Sequence, residues 1–206
     1  MKIDPANLAL KDAHDLLVGA VVPRPIAFVS TIGEDGVYNV APFSYFTVMS
    51  SEPAILGFGI ARKRGGQKKD TLLNVEASGD FVINMVTEAM AKAMNQASGE
   101  YPRDVDEFKE AGLTPVSSDL VRPPRVAESP VNMECRLVQI LEFGGAPRIN
   151  NFIIGEILRV HVKDEVWVDG VIKGHKVKAI GRLGEDLYCR TMDIFEMKRP
   201  NILVNP

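Results

Sequence analysis

The chain has 206 residues, of which 46% are hydrophobic and 25% charged, and its formal net charge at pH 7 is -3. This length predicts one domain that is large enough to bury a core without metals or disulfides. The weak negative charge argues against a general nucleic-acid binder, and no apolar run approaches the ~18 residues of a membrane-spanning helix.

The two cysteines give no sign of a metal or redox motif. Cys135 and Cys189 lie far apart and lack the CxxC spacing of such sites. Either could be a reactive thiol, but we favour a buried apolar role for both. The N-terminus shows no basic-then-apolar leader, so we expect a reduced protein in the cytoplasm.

Short apolar runs, rich in β-branched residues and separated by turn residues, dominate the pattern along the chain. Such runs are typical of strands. The predicted strands cover residues 26–32, 37–41, 54–60, 81–86, 131–143, 152–162 and 166–168. Their number and spacing predict a mainly β barrel or sandwich with helical insertions.

Helices are fewer and lie between the strands. The predicted helices cover residues 71–78, 87–98 and 106–111. Asp70 or Thr71 is expected to cap the first helix, and Gly79 to end it. In residues 113–130 prolines alternate with apolar residues, which predicts an ordered surface arm instead of a linker. With no internal repeat, residues 1–206 are expected to form a single domain.

Pro23, Arg24 and Pro25 stand directly before the first predicted strand. The prolines fix the direction in which the chain enters the sheet, and they prevent a helix. Arg24 is either a solvated side chain at a rigid strand entrance or a ligand contact. These three residues alone favour the solvated side chain.

Residues 39–47 combine a proline with small hydroxyl groups and aromatic rings. Pro42 lacks an N–H group and is expected to end regular strand pairing. Unpaired amides, hydroxyls and ring edges would then be offered by Phe43, Ser44, Tyr45, Phe46 and Thr47. A flat, partly apolar cofactor ring needs such a lining. The alternative is a loop whose aromatic side chains belong to the core.

Residues 62–71 bring together basic side chains, two glycines and a predicted helix start. A helix N-terminus presents unpaired N–H groups and a partial positive charge, which suit a phosphate. Arg62 or Arg64 could grip it with a forked guanidinium group. Lys68 or Lys69 could add a point charge. The spacing is not that of a Walker loop, and a solvated charge run is the alternative.

His161 stands between Val160 and Val162 in a predicted strand. If the valines face the core, His161 faces the opposite side of the sheet, where it either flanks a pocket or is an ordinary strand histidine. The chain contains neither Gly-x-Ser-x-Gly nor the glycine-rich dinucleotide fingerprint. A nucleophile-elbow hydrolase and a Rossmann domain are therefore not expected.

Several of these stretches, taken in chain order, are similar to the motifs of one family. They begin with Arg24-Pro25-Ile26-Ala27-Phe28-Val29-Ser30-Thr31 and Asn39-Val40-Ala41-Pro42-Phe43-Ser44-Tyr45-Phe46. They continue with Ser51-Glu52-Pro53, Lys69-Asp70-Thr71, Gly79-Asp80-Phe81-Val82-Ile83-Asn84, Pro130-Val131-Asn132-Met133-Glu134-Cys135 and Gly155-Glu156-Ile157. As an ordered set, they resemble the flavin reductase-like family, whose fold is the FMN-binding split barrel.

The resemblance implies a six-stranded Greek-key split barrel with helical insertions, to which the proline-rich arm is added. It also implies a homodimer with one FMN per subunit at or near the interface. The flavin ring would lie along Pro42 to Thr47, with Ser44 as a contact. The phosphate would be held by Arg62 and by the helix start at Lys69, Asp70 and Thr71. Further residues carried over to the cofactor site are Arg24, Pro25, Thr31, Asn84 and His161.

The activities of that family imply an oxidoreductase that passes electrons from NADH or NADPH through FMN to a flavin, to ferric iron or to a partner oxygenase. Because the cofactor carries the chemistry, no side chain need act as nucleophile, acid or base. The main alternative is a flavin-binding or electron-carrier protein without turnover. A haem- or pyridoxal-phosphate-binding relative and a plain structural module are further alternatives.

Overall fold

The computed structural model describes residues 1–63, 65–145 and 148–200, so Arg64 lies outside the described residues. The strands, in chain order, are β1 (Ala27–Ile32), β2 (Tyr38–Phe43), β3 (Phe46–Ser51), β4 (Ala54–Ala61), β5 (Asp80–Met85), β6 (Pro115–Val116), β7 (Arg125–Val126), β8 (Val131–Gly145), β9 (Arg148–Val162), β10 (Trp167–Val168), β11 (Val171–Ile172), β12 (Ile180–Arg182) and β13 (Tyr188–Arg190). The helices are α1 (Leu10–Ala20), α2 (Asp70–Ser78), α3 (Ala91–Gln96), α4 (Glu107–Glu110) and α5 (Gly174–Val177).

One antiparallel sheet of seven strands forms the body of the molecule, in the order β2-β1-β5-β8-β9-β4-β3. The edge strands β2 and β3 are consecutive in the chain, with Ser44 and Tyr45 between them. The carbonyl of Tyr45 also accepts a hydrogen bond of 2.7 Å from the N–H of Gly59 in β4. The chain itself therefore joins the two edges, and the sheet curves into a barrel that is split along an unpaired seam at this point.

The predicted mainly β split barrel with helical insertions is confirmed. The main sheet has seven strands instead of the expected six, because residues 46–51 pair with β4 instead of forming a loop. The short strands β6, β7, β11, β12 and β13 were also not predicted. Phe46 stands opposite Phe58, and Thr47 opposite Gly57. Aromatic and β-branched residues suit such a half-covered edge strand.

Side chains of the sheet alternate between two apolar clusters on its opposite faces. Inside the barrel, Val29 packs in one cluster with Phe58. On the outer face, Phe28 packs in a second cluster with Met94 and Phe108 from α3 and α4. Because both faces are covered, consecutive residues Ala27, Phe28 and Val29 of β1 are all apolar and fully buried, instead of alternating with polar residues.

Helix α2 begins after Lys69, its N-cap residue, and ends at Gly79, whose φ of 72° is in the left-handed region. The predicted stop at Gly79 is confirmed, since glycine adopts this conformation without steric cost. The prediction that Asp70 or Thr71 caps the helix is wrong. Both lie inside the first turn, where their side chains bind other residues of the fold.

The other helices differ in part from expectation. The helix predicted over 87–98 is divided into a 3-10 turn, Glu88–Met90, and α3. The predicted helix near residue 106 is present as α4, and Asp106 caps it by accepting a bond from the N–H of Phe108. Helix α1 was not predicted. In the described part of the chain, no helix is long and apolar enough to span a membrane.

Residues 113–130 carry the short strands β6 and β7 and lie against the outer face of the sheet. The Oδ1 atom of Asn84 in β5 accepts a 2.9 Å bond from the N–H of Val126. The hydroxyl of Ser30 in β1 donates to the carbonyl of Pro124. These buried hydrogen bonds fasten the segment to the barrel.

Gly155 in β9 tests the packing of the barrel interior. A Cβ atom there would clash with the ring of Phe81, which is fully buried, and would lie 3.2 Å from the carbonyl oxygen of Arg136. Gly155→Ala should therefore lower the free energy of unfolding by about 1–3 kcal/mol, the usual cost of overpacking.

The matched control is Gly19→Ala in α1, where an added Cβ meets nothing within 4 Å. This variant should be neutral or stabilised, because alanine favours helix more than glycine does. Urea denaturation measures both variants. Equal unfolding free energies for the two would contradict the packing described here.

Candidate functional site

Pro42 lies inside β2 and does not end it. It pairs with Phe28 of β1, and Phe43 after it pairs with Ala27. The expectation that Pro42 stops strand pairing is wrong, because β2 is an edge strand and its outer side needs no N–H partner. The chain leaves the sheet at Ser44 instead.

The start of α2 faces the end of β2 across a cavity of about 60 Å³, here called the small cavity. Lys69, Asp70 and Thr71 line it together with Pro42. Its opposite wall is formed by the residues that follow α3, which are Ala97, Ser98, Gly99, Glu100 and Tyr101. The two stretches expected to bind one cofactor therefore share one cleft.

A buried polar cluster fixes α2 against β2. The Oδ1 atom of Asn39 accepts hydrogen bonds from the hydroxyls of Thr31, at 3.0 Å, and Thr71, at 2.8 Å. Its Nδ2 group donates to Oε1 of Glu107 at 2.7 Å. Asn74 donates to the Thr31 hydroxyl at 3.0 Å. Thr31 and Thr71 therefore position the wall of the small cavity.

Glu107 is the residue of this cluster that sequence reasoning missed. Its side chain lines the small cavity, and the residue is 7% exposed. Oε2 is buried and has no hydrogen-bond partner among the described residues. Burial, with a small contribution from nearby Asp70, outweighs the hydrogen bonds to this carboxyl and raises its pKa from 4.5 to about 7. In the sequence Glu107 looks like an ordinary acid in the first turn of a short helix.

The lysines that precede α2 differ in their binding partners. Lys68 binds Glu76 at 2.6 Å, and Lys63 binds Asp70 at 2.7 Å. The ammonium group of Lys69 lies 5.9 Å from the ring centroid of Phe43. Within the described residues, Lys69 forms no salt bridge. It is therefore the lysine of this run whose charge is available to the small cavity.

A second cavity, of about 640 Å³, lies on the other side of Pro42 and is here called the large cavity. It shares Pro42 and Ser98 with the small cavity, and Ser44 also lines it. Arg182 and Tyr188 form a further wall, with the guanidinium carbon 4.5 Å from the ring centroid. This wall was not predicted, although residues 180–190 show a strand–turn–strand pattern in the sequence, which the structure forms as β12 and β13.

Arg24 is buried, and it is not the solvated side chain that its three-residue motif favoured. Its guanidinium group donates to the carbonyls of Val18, of Val21 at 2.9 Å and of Leu183 at 2.9 Å. Its Nε group donates to the hydroxyl of Ser44 at 3.3 Å. Arg24 thus positions Ser44 and the end of α1. Pro25, beside it, is exposed.

The aromatic residues after Pro42 divide between the core and the surface. Phe43 is buried and packs against Phe58, with ring centroids 5.5 Å apart, and Phe46 is half-buried. Tyr45 is exposed, as is Thr47 in β3. Of this stretch, Pro42 and Ser44 line the large cavity.

Arg62 lies just beyond β4, outside the lining of the small cavity. Its guanidinium group binds Oε1 of Glu142 in β8 at 3.1 Å. Its Nε atom is buried without a hydrogen-bond partner among the described residues. The structure therefore does not bring Arg62 together with Lys69 around one cavity.

Asn84 and His161 also lie away from the cleft. Asn84 donates to the carbonyl of Phe28 at 2.9 Å and to Ser30, and it accepts from Val126. His161 contacts the buried carboxylate of Glu134 through Nε2. Both side chains belong to the outer face of the sheet, next to residues 113–130.

Both cysteines are free. Cys135 is fully buried in the barrel interior, as expected, and burial raises the pKa of its thiol. A thiol kept protonated in this way is a poor nucleophile. Cys189 is partly buried.

Comparison with known proteins identifies the family. The model of the flavin reductase like domain matches residues 14–174, well over half of the chain. The chain belongs to this family. The resemblance seen in the sequence motifs is thereby confirmed. Membership supports a flavin cofactor and a flavin-related redox function.

Relatives of this flavin reductase-like protein match it along nearly its whole length. An uncharacterized protein of Halalkalibacterium halodurans is 37% identical, over 100% of this chain and 99% of that protein. Nitrilotriacetate monooxygenase component B from Bacillus cereus superposes with a TM-score of 0.92 at 33% identity, covering 96% of this chain and 98% of that one. The 2-nitrobenzoate 2-nitroreductase of Pseudomonas fluorescens superposes with a TM-score of 0.86 at 28% identity, covering 100% of this chain and 99% of that one.

The cleft of this flavin reductase-like protein has the features that a flavin nucleotide needs. The volume of the large cavity is in the ordinary range of ligand sites. The small cavity combines a helix N-terminus with the Lys69 ammonium group. The unpartnered Oε2 atom of Glu107 would gain a hydrogen bond from a hydroxyl-bearing chain in the small cavity. The residues present therefore fit a flavin with a phosphorylated polyol chain.

Glu107→Gln tests the buried carboxyl. Below pH 4.5 Glu107 is protonated in both the folded and the unfolded chain, and above about pH 7 it is ionised in both. Between these values the unfolded chain gives up the proton first, so the folded state loses stability as the pH rises. The loss amounts to about 3 kcal/mol by pH 8, at about 1.4 kcal/mol per pKa unit.

Glutamine stays neutral and avoids this loss. The free energy of unfolding of Glu107→Gln, relative to the native chain, should therefore increase by roughly that amount between pH 5 and pH 8. Denaturant titrations at a series of pH values measure it. A difference that does not change with pH would show that the Glu107 carboxyl titrates normally.

Proposed function

We propose that this protein is an FMN-binding oxidoreductase that passes electrons from NADH or NADPH through FMN to a flavin, to ferric iron or to a partner oxygenase. The observation that carries the proposal is the shared cleft, in which Pro42 stands between the large cavity and the start of α2. Family membership supports a flavin cofactor. The cleft offers one cavity for the phosphate end of FMN and another for its ring.

The phosphate of FMN is assigned to the small cavity. Free N–H groups at the start of α2 and the ammonium group of Lys69 give this place a positive potential. Asp70 also lines it, but Lys63 binds its carboxylate at 2.7 Å and Arg103 binds it at 3.4 Å. These two cations offset the charge that would otherwise repel a phosphate.

The flavin ring is assigned to the large cavity. Pro42 and Ile26 offer apolar surface for its faces, and Ser44 and Arg182 offer polar groups for its edges. Because Arg24 is buried and binds Ser44, the Ser44 hydroxyl is held in place before the ligand arrives. Such preorganisation reduces the entropy lost on binding.

When bound, the flavin supplies the transfer of hydride and of single electrons. The residues of the chain bind and orient it. The start of α2 holds one end, and β2 with Ser44 holds the other. Residues Ala97 to Tyr101 form one wall of the small cavity. With a pKa of about 7, the Glu107 carboxyl can gain or lose a proton near neutral pH beside the bound chain. No side chain is assigned as nucleophile, acid or base.

A second copy of the chain is the proposed partner, in a cytoplasmic homodimer. Large apolar side chains are exposed along the edge strand β3, at Val48 and Met49, and near the C-terminus, at Ile194 and Phe195. Apolar residues on a sheet edge are ordinarily covered by another chain or segment. The partner oxygenase is proposed because the Bacillus cereus relative is a monooxygenase component.

Lys69→Ala tests the assignment of the phosphate. Loss of a charge-assisted contact should weaken the binding of FMN roughly tenfold to a hundredfold, because such contacts contribute about 1.5–3 kcal/mol. Riboflavin lacks the phosphate, so its affinity should change little. Fluorescence titration of the protein freed of flavin measures both ligands.

Lys68→Ala is the matched control, because Lys68 is bound to Glu76 and does not line the cavity. Its affinity for FMN should stay near that of the native chain. Equal losses for FMN and riboflavin in Lys69→Ala would remove the phosphate from this cavity.

The electron path is tested by turnover. The FMN-loaded protein should oxidise NADH or NADPH when excess FMN or a ferric chelate is added, and the rate is followed by nicotinamide absorbance. Cys135→Ala should keep this rate, because the thiol is buried in the barrel and takes no part. Flavin-loaded protein that oxidises neither nicotinamide would favour the electron-carrier alternative.

A further inference from the structure

A third cavity, of about 320 Å³, lies between residues 113–130 and the strands β8 and β9. It is called the side cavity below. Its apolar lining includes Val116, Val126 and Val162, and its polar lining includes Arg125, His161 and Lys163. The volume is within the range of small-molecule sites.

The side cavity is separate from the flavin cleft. Strand register places Pro42 opposite Phe28, Phe28 opposite Asn84, Asn84 opposite Asn132, and Asn132 opposite His161. Pro42 and His161 are thus four strand spacings apart, roughly 19 Å along the sheet at about 4.8 Å each. A ligand in the side cavity would not displace FMN from the cleft.

Two cations that line the side cavity make no direct contact with an acidic side chain in the described residues. Arg125 donates from Nε and one NH2 group to the carbonyl of Ser117, at 3.2 and 2.9 Å. Lys163 has a long contact of 3.5 Å to the carbonyl of Glu128. Across residues 1–63, 65–145 and 148–200, neither cation forms a salt bridge. Both therefore keep donors and charge for a ligand.

The acids near the cavity are occupied elsewhere. Glu134, fully buried, accepts hydrogen bonds from the backbone N–H groups of Asp119, Leu120 and Val121, at 2.9, 2.6 and 3.2 Å. Burial alone would raise the pKa of Glu134, but these bonds and the contact with His161 lower it, so it is a carboxylate.

Asp119 binds Arg159 at 2.7 Å. Asp119, Glu134 and His161 offer atoms within 4.8 Å of one another, as metal ligands would. Their hydrogen bonds already occupy those atoms, however. The unsatisfied charge around the side cavity is positive, which favours an anion over a cation.

The cavity is held in shape by buried hydrogen bonds. The Nδ2 group of Asn132 donates to Oδ1 of Asn84 at 2.8 Å and to the carbonyl of Val126 at 3.1 Å. The hydroxyl of Ser129 donates a hydrogen bond of 2.8 Å to the carbonyl of Met85. These contacts fix residues 113–130 against β5 and β8, so the site exists before a ligand binds.

We propose that the side cavity is a binding site for a small carboxylic acid with an apolar body. Arg125 and Lys163 bind the carboxylate, and the accessible side chains of Val116 and Val162 contact the apolar part. A carboxylate matches the forked geometry of a guanidinium group. The apolar lining argues for an organic acid in preference to an inorganic anion such as phosphate.

Calorimetric titration of the FMN-loaded protein with benzoate and with benzamide, its neutral isostere, tests this proposal. Benzoate is expected to bind at least tenfold more tightly. Arg125→Met and Lys163→Met should each reduce that preference. Val116→Trp, at a partly exposed position, should fill the cavity and abolish the binding of both probes. Flavin content should stay unchanged in all three variants, which separates this site from the cleft.

Arg159→Met is the control, since Arg159 is a neighbouring cation that binds Asp119 and does not line the cavity. It should leave benzoate binding unchanged. The proposal is overturned by an absence of benzoate binding or by equal affinities for the two probes. It is also overturned if Val116→Trp and Lys163→Met, with native melting temperatures, bind benzoate as the native chain does.

Discussion

A single buried amide, that of Asn39, joins the parts on which the cleft depends. It links β2 to β1 through Thr31, to α2 through Thr71 and to α4 through Glu107. Polar groups in such a place are costly unless they are bonded, so α2 cannot slide along β2 without breaking the cluster. The start of α2, with Lys69, is therefore held opposite the end of β2.

The seam of the barrel sets the position of the cleft. The two edges of the sheet meet at Ser44 and Tyr45, so no neighbouring strand covers β2 on that side. A closed barrel would offer no such opening, whereas a seam leaves an unpaired backbone edge beside an apolar surface. Arg24 connects the seam to α1 and to the segment after β12 by binding Ser44, Val18 and Leu183. Fold and site therefore depend on the same few contacts.

Local patterns gave much of the fold, and long-range contacts decided the rest. The strands with runs of β-branched residues and the end of α2 at Gly79 are determined by residues that are close in the sequence. The sequence alone therefore predicted them correctly. Whether Pro42 ends a strand depends on its place at the sheet edge, which the sequence does not show. Glu107 and Arg182 reach the cleft through contacts far along the chain, so their positions required the structure.

The central claim is that FMN lies along the cleft between β2 and the start of α2. A crystal structure of the protein with FMN tests it most directly. The account predicts the phosphate within hydrogen-bond distance of Lys69 or of the first N–H groups of α2, and the ring beside Pro42 and Ser44. Clear density for FMN elsewhere, with the cleft between Pro42 and Thr71 holding water, would contradict it.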